Sequence, residues 1–451
     1  MKAFALGHCK RAVDAAATLT GKRFSLLVAS SLVATATIVA AAATGAEDSD
    51  PLAALLGRSL AANSAPAASE PSLAPEPSAG PSGGSTSPAP SGEPLPSPAP
   101  IESSEPAPTG KPEKEAPEPA EPPVEAGPIQ HVFVISLASP GYEAAFGAAP
   151  QMPYLGSALR PQGVLLSNYS LLDRTALPNA IATISGQPPN DQTKADCPVY
   201  SEFPPTAKAN ARGIVSAGGC IYPVETVTFS DQLIGARLRW HAYMEGMADE
   251  TGRPDSCVQP EPNAADTPAT GGYAARLNPF VYFHSLLDLG DCTENDVPLS
   301  ELDGDLKKVE TTSNFNYISP NLCNVGIGGQ CPAGAPEGAA AADTFLSTWV
   351  PKILASPAYK KDGLLIVTFS QVNPGALADP AVAAAIGDPP KVGALLLSRF
   401  ATPGGTDATA YDPYSLQRTF ADLFRLSPLG AAAGTKVKSL APALEGANGG
   451  D

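Results

Sequence analysis

Short apolar runs and segments of helical periodicity alternate along the second two-thirds of the chain. His131–Leu137 (HVFVISL) is apolar and rich in β-branched residues without a polar face, the pattern of a strand covered on both sides. Gly163–Leu171, Trp240–Met244, Asn316–Ser319, Gly363–Phe369 (GLLIVTF) and Val392–Leu397 also read as strands. Between them, Pro153–Leu159, Leu177–Ser185, Phe229–Leu238, Ala339–Leu354 and Ser415–Leu426 carry apolar residues at helical spacing, Phe229–Leu238 opening on a Ser-Asp cap signal. Such alternation predicts an α/β fold with a central, mostly parallel sheet flanked by helices. Chemistry in these sheets sits past the C-terminal ends of the strands. The places to search are therefore after Leu137, before Leu177, after Pro320 and after Phe369.

The first third of the chain has a different pattern. Residues 24–46 form a 23-residue uncharged stretch behind Lys22 and Arg23, long enough to cross a bilayer with its basic end in the cytoplasm. It is either a transmembrane anchor or a signal peptide cut among the small residues at Ala43–Ala46. Residues 1–23 then form a cytoplasmic leader. From 47 to 128 the chain is rich in Pro, Ala, Ser and Glu. Nineteen prolines lie between Pro66 and Pro128, and there is no aromatic residue between Phe24 and Phe133. Without large apolar side chains a segment cannot offset the entropy of ordering, and repeated proline favours polyproline II. This is a disordered stalk that spaces a domain at 129–430 away from a membrane, and 431–451 read as a flexible tail.

A net charge of −17 excludes a nucleic-acid partner, whose phosphates require cationic contacts. The membrane is met through the N-terminal segment alone. Six of the seven cysteines (Cys197, Cys220, Cys257, Cys292, Cys323 and Cys331) lie beyond the apolar segment, an even number that reads as disulfides in an exported protein. Spacing allows about fifteen connectivities for six cysteines. Cys323 with Cys331 and Cys197 with Cys220 make the natural short loops, leaving Cys257 with Cys292. No C-x-x-C pair occurs and there are four histidines in all, so zinc is disfavoured.

Several strings in the folded part, in order, are HVFVISL…YEAAFG, ALPNAIATISGQPPNDQT, CIYP, NPFVYFHSLLD, YISPNLC, WVPKILASPAYKKDGLLIVTF and YSLQRTFADLF. Together they resemble the bacterial phosphoesterase family of acid phosphatases and phospholipases C, within the alkaline-phosphatase-like superfamily. The resemblance spans His131 to Leu426 and implies that superfamily's α/β sandwich. It also implies phosphoryl transfer to a hydroxyl nucleophile beside a divalent metal held by carboxylates.

At each position where the resemblance implies chemistry, this chain departs from the pattern. Ala138-Ser139 stand where Glu-Asn is expected after the first strand. Ala176 stands at the nucleophile position, with Thr175 one residue earlier. Asn324 follows Asn321-Leu322-Cys323 where a His- and Asp-bearing loop is expected. Ser370-Gln371 replace an Asp-Glu pair, and Pro413 replaces a His. A site without carboxylates does not hold Mg²⁺ or Ca²⁺ tightly. The expectation is a degenerate site with no catalytic residue and no cofactor, in a protein acting as a surface binding module or as partner of an active homologue. The alternative is an active metal-dependent hydrolase of phosphate esters using other residues. A third reading is a structural wall-associated protein whose partner is a cell-wall component. Arg174 and the N–H groups at Leu177 are candidate anion binders. His131, His241 and His284 read as structural, with no cluster of carboxylates or cysteines near them in sequence.

Overall fold

The computed structural model describes residues 128–248 and 255–444. The leader, the 24–46 segment and the stalk expected from the sequence lie outside the described residues. Among the described residues no helix is long and apolar enough to cross a membrane.

Eight strands form one sheet: β1 (His131–Ser139), β2 (Val164–Leu166), β3 (Trp240–Met244), β4 (Asp296–Pro298), β5 (Phe315–Ser319), β6 (Gly363–Val372), β7 (Ala394–Ser398) and β8 (Thr406–Asp407), in the order β4-β3-β5-β1-β6-β7-β2-β8. Neighbours run parallel except at β7, which is antiparallel to both β6 and β2. Every residue of β6 is buried. Successive side chains of a strand point to opposite faces, so both faces of the sheet are covered there. The α/β architecture with a mostly parallel sheet and flanking helices is the one the alternating pattern predicts.

The elements differ from their sequence reading mainly at their ends. The strand expected over Gly163–Leu171 is regular for Val164–Leu166 alone, and the chain then turns. Pro153–Leu159 becomes a π-helical turn at Tyr154–Leu159, whose first N–H groups, those of Tyr154 and Leu155, donate to the Asp343 carboxylate of another helix at 2.8 and 3.0 Å. The Phe229–Gly235 helix is capped by Thr228, whose hydroxyl and the Asp231 carboxylate form a reciprocal capping box. The Ser-Asp signal thus lies inside the first turn, past the true start. Residues 431–444, read as a tail, continue the packed domain: Ala432, Leu440 and Leu444 are buried, and Leu440 N–H donates to Thr419 Oγ1 at 2.8 Å.

Disulfides join Cys197 to Cys220, Cys257 to Cys292 and Cys323 to Cys331.

Candidate functional site

The C-terminal ends of β1, β5 and β6 and the N-terminus of the Ala176–Ser185 helix bring together Ala138, Ala176, Ser370, Gln371 and the loop that carries Asn324, positions at which the sequence lacks expected chemistry. Ala138 and Gln371 are register partners across β1 and β6, just past an irregularity between Leu137 and Ala138. Ala138 N–H donates to Val325 O at 2.7 Å, which folds the loop after β5 against the end of β1. Asn373 Nδ2 donates to Ile327 O at 3.0 Å and fixes the same loop to the end of β6.

This convergence produces an apolar cluster. Ala138, Ala176, Ala274, Leu277, Leu322 and Val325 are all buried and packed together, with Ile327 against them. Two of its alanines occupy the expected ligand and nucleophile positions, and the remaining members come from loops that close over the strand ends. Ser319 Oγ donates to Leu277 O at 3.1 Å and holds one of those loops down.

The polar residues around the cluster are committed to the scaffold. Ser370 Oγ donates to Leu137 O at 3.4 Å, and Gln371 is buried. Asn324 Nδ2 donates to both carboxylate oxygens of Glu245, at 2.9 and 3.1 Å, and Asn321 N–H donates to the same carboxylate at 3.0 Å. Burial raises the Glu245 pKa above the ordinary range, against the lowering effect of those bonds. Pro413 is buried in the first turn of the Pro413–Phe424 helix, where its missing N–H is harmless, and Asp412 caps that helix through Ser415 N–H at 3.0 Å.

Asn179, at the end of the Leu177-Pro178-Asn179 string, is a scaffold residue. Its Oδ1 accepts from Leu172 and Asp173 N–H, and its Nδ2 donates to the carbonyls of Asp173, Thr175 and Ser370. One buried amide thereby ties the loop before the helix to the end of β6. Thr175 sits at the N-cap but does not cap the helix; its hydroxyl donates to Lys194 O at 3.0 Å and to Asp173 Oδ1 at 3.3 Å.

The helix N-terminus itself is occupied. Asp196 Oδ1 accepts from Leu177 N–H at 2.9 Å, and the carboxylate is also bonded by Ala176 N–H. An N-terminal turn attracts anions through its free N–H groups and dipole. Here the protein supplies that anion, which overturns the expectation of free N–H groups at Leu177. Burial pushes the Asp196 pKa up to about 6, opposed by the Leu177 bond and the nearby Arg276 charge. Arg174 donates to Gly387 O at 3.2 Å, and its own carbonyl accepts from Val372 N–H at 3.1 Å.

His131, His241 and His284 each have a carboxylate partner. His131 Nδ1 lies 2.5 Å from Asp362 Oδ1, at the N-terminal ends of β1 and β6 and so at the edge opposite the cluster. His241 Nδ1 lies 3.4 Å from Asp305 Oδ2, and burial lowers its pKa although Asp305 opposes this. His284 is partly exposed between Asp288 and Glu202, at 3.0 Å from each. Burial would lower its pKa, but the two carboxylates outweigh that and raise it. Asp362 and Glu202 could not be read locally because they lie 231 residues from His131 and 82 from His284, whereas Asp288 lies only four residues after His284.

The positions expected to carry ligands do not make a divalent-metal site. Ala138, Ala176 and Pro413 offer no donor, Ser370 and Asn324 offer neutral ones already bonded within the fold, and the carboxylates nearby, Glu245 and Asp196, are bonded to Asn321 and Asn324 and to the helix N-terminus. Among the described residues, the sole group of three or more possible ligands is Cys257, Cys292 and Asp296, and both sulfurs there are joined in a disulfide.

No family model and no curated protein matches the sequence. Solved structures of similar shape include a protein in the alkaline phosphatase superfamily from Vibrio parahaemolyticus, 14% identical over 69% of this chain and 71% of that one, with a TM-score of 0.41. A phosphonate monoester hydrolase from Silicibacter pomeroyi is 10% identical over 70% of this chain and 76% of its own, with a TM-score of 0.37. A lipoteichoic acid synthase from Listeria monocytogenes is 9% identical over 70% and 74%, with a TM-score of 0.36. Likenesses this loose carry no argument about activity, and the architecture rests on the strand order and register of this chain.

Proposed function

We propose that this chain is an exported, catalytically silent relative of the phosphoesterases that acts by binding, as a surface module or as the partner of an active homologue. The observation that carries this reading is the apolar cluster of Ala138, Ala176, Ala274, Leu277, Leu322 and Val325 at the ends of the parallel strands. A phosphoryl-transfer site needs at that place a nucleophile, an ion and room for a charged ester. Packed methyl and isobutyl groups provide none of these. The Asp196 carboxylate on the adjoining helix N-terminus supports the same reading, since it repels the phosphate that the turn would otherwise attract.

The test is an assay of the purified protein with para-nitrophenyl phosphate and its bis-ester, in Mg²⁺, Mn²⁺ or Ca²⁺, combined with elemental analysis. The expected result is no release above buffer and no stoichiometric metal. Turnover that a chelator abolishes would overturn the proposal.

A further inference from the structure

The three disulfides differ in what lies beside them. Cys220 Sγ contacts Ser201 Oγ and Val199 O, and Cys323 Sγ contacts Pro336 O. Cys292 Sγ instead lies 3.9 Å from Asp296 Oδ2, and both sulfurs of the Cys257–Cys292 bridge and the Asp296 carboxyl lie within 4.8 Å of one another. Asp296 is completely buried. Its Oδ2 accepts from Asn278 Nδ2 at 2.7 Å, while its Oδ1 has no hydrogen-bond partner. Such a carboxyl is best accommodated as the neutral acid, and burial pushes its pKa up to about 8.

The two sulfurs are not equivalent. Both cysteines are buried, but Cys292 is 0% exposed, whereas Cys257 is 9% exposed and lines a hollow of about 610 Å³ bordered by Val258, Pro260, Glu261 and Thr267. A thiolate arriving through the hollow meets Cys257. In-line attack there expels Cys292 as a thiolate in the interior, where an unpaired charge is costly. The acid 3.9 Å away relieves the sulfur by giving up its proton, and the charge passes to a carboxylate that keeps the Asn278 bond.

We propose that Cys257–Cys292 is an exchange-active disulfide that oxidises an external dithiol, with Asp296 as the proton donor to Cys292. In the first step a thiolate of the dithiol bonds to Cys257 Sγ. The Cys257–Cys292 bond breaks, its electron pair goes to Cys292 Sγ, and the Asp296 carboxyl proton follows. In the second step the other thiolate of the dithiol attacks its own sulfur in the mixed disulfide. Cys257 leaves with the electron pair and takes a proton from water in the hollow, and Asp296 is reprotonated from solvent. The dithiol is oxidised to a disulfide, and the two cysteines are reduced to thiols. Around Asp296 the titratable neighbours are Tyr273, whose hydroxyl donates to Val258 O at 2.6 Å and whose pKa burial holds far above neutral, and Asp266, paired with Arg276 at 2.8 Å. Tyr273 therefore offers no competing proton to Cys292 near neutral pH.

The experiment follows each disulfide separately in the whole protein. Dithiothreitol is added, samples are acid-quenched, and free thiols are alkylated and located by mass spectrometry, in wild type and in Asp296→Asn. Asparagine matches the protonated acid in shape and keeps an oxygen for Asn278, but it has no proton to give. The expected result at neutral pH is at least a roughly tenfold slower opening of Cys257–Cys292 in Asp296→Asn, the scale of general acid catalysis or below it, with the other two disulfides unchanged. Normalised to reagent thiolate, the wild-type rate falls as pH rises through about 8, and the variant is flat. An equal or faster rate in a variant with intact near-ultraviolet circular dichroism would overturn the proposal. A flat wild-type profile would overturn it without any variant.

Discussion

A carboxylate at a helix N-terminus is favoured by the free N–H groups and the dipole, yet Asp196 is also largely withdrawn from water, and its pKa of about 6 shows that withdrawal dominates. The sign follows from the raised value. Its contribution to stability is fully present below the ordinary Asp range and is lost as pH rises through about 6. Asp196→Asn keeps a capping oxygen without the charge, so the two proteins should be about equally stable at about pH 3, where the acid is protonated in both the folded and the unfolded chain. The variant should be more stable at about pH 7 by on the order of 2 kcal/mol, as read from urea unfolding at the two pH values. Ala138→Glu places an acid inside the apolar cluster with no partner, and should destabilise by at least about 3 kcal/mol in the same measurement. Near wild-type stability for that variant would mean that the strand ends form an open polar cleft. Asn179→Ala removes a buried amide with five backbone bonds and should cost about 2–4 kcal/mol. That small or neutral residues stand at Ala138, Ala176 and Ser370 was legible because residue identity is written at single positions beside recognisable strings. What packs against them was not, because Asp196, Leu277 and Val325 come from loops and short turns whose sequence has no period.

Strands and helices that depend on their own apolar pattern were readable, and those defined by a neighbour were not. β6 runs on through Ser370, Gln371 and Val372 because β1 continues beside it across a register shift, and nothing in those three residues announces a strand. β4 and β8, of three and two residues, exist by pairing at the sheet edges and are too short to show a period. β7 was located, but its antiparallel direction is a property of the connection and not of its residues. The C-terminal segment shows the same dependence. Polar and small residues dominate 431–444, yet its few leucines are anchored on the Pro413–Phe424 helix, and the glycine that ends the Ala176–Ser185 helix is part of the fit. Gly186 has φ of 68° and a Cβ there would lie 2.1 Å from Leu429 O, so this contact admits no side chain. A chain ending at residue 430 should therefore lose the burial of Leu440 and Leu444 and the bond to Thr419, about 3–5 kcal/mol, measurable as a lowered urea midpoint. An unchanged midpoint would return the segment to the status of a tail.

At the scale of the molecule, the described domain is tied by bridges that span 23, 35 and 8 residues. By the chain-entropy relation these are worth roughly 3.4, 3.8 and 2.5 kcal/mol, together on the order of 10 kcal/mol. That is comparable to the entire stability of an ordinary domain, about 5–15 kcal/mol. The fold is thus coupled to redox environment in two distinct ways. Loss of Cys257–Cys292 alone removes about 4 kcal/mol, which a domain of this size can survive, so exchange at that bridge is compatible with a folded protein. Loss of all three is not. The folded domain should consequently accumulate in soluble form when produced in an oxidising compartment and fail to do so in a reducing cytosol. Full reduction of the purified protein at about 37 °C should abolish its near-ultraviolet circular dichroism. The Cys257→Ser/Cys292→Ser double variant, made in the oxidising compartment, should remain folded with a lowered melting temperature, because the cysteine pairs closing the other two loops are intact. If the fully reduced chain kept its native spectrum, burial in the sheet would suffice by itself, and the cysteines would give no physical reason to place the domain in an oxidising compartment.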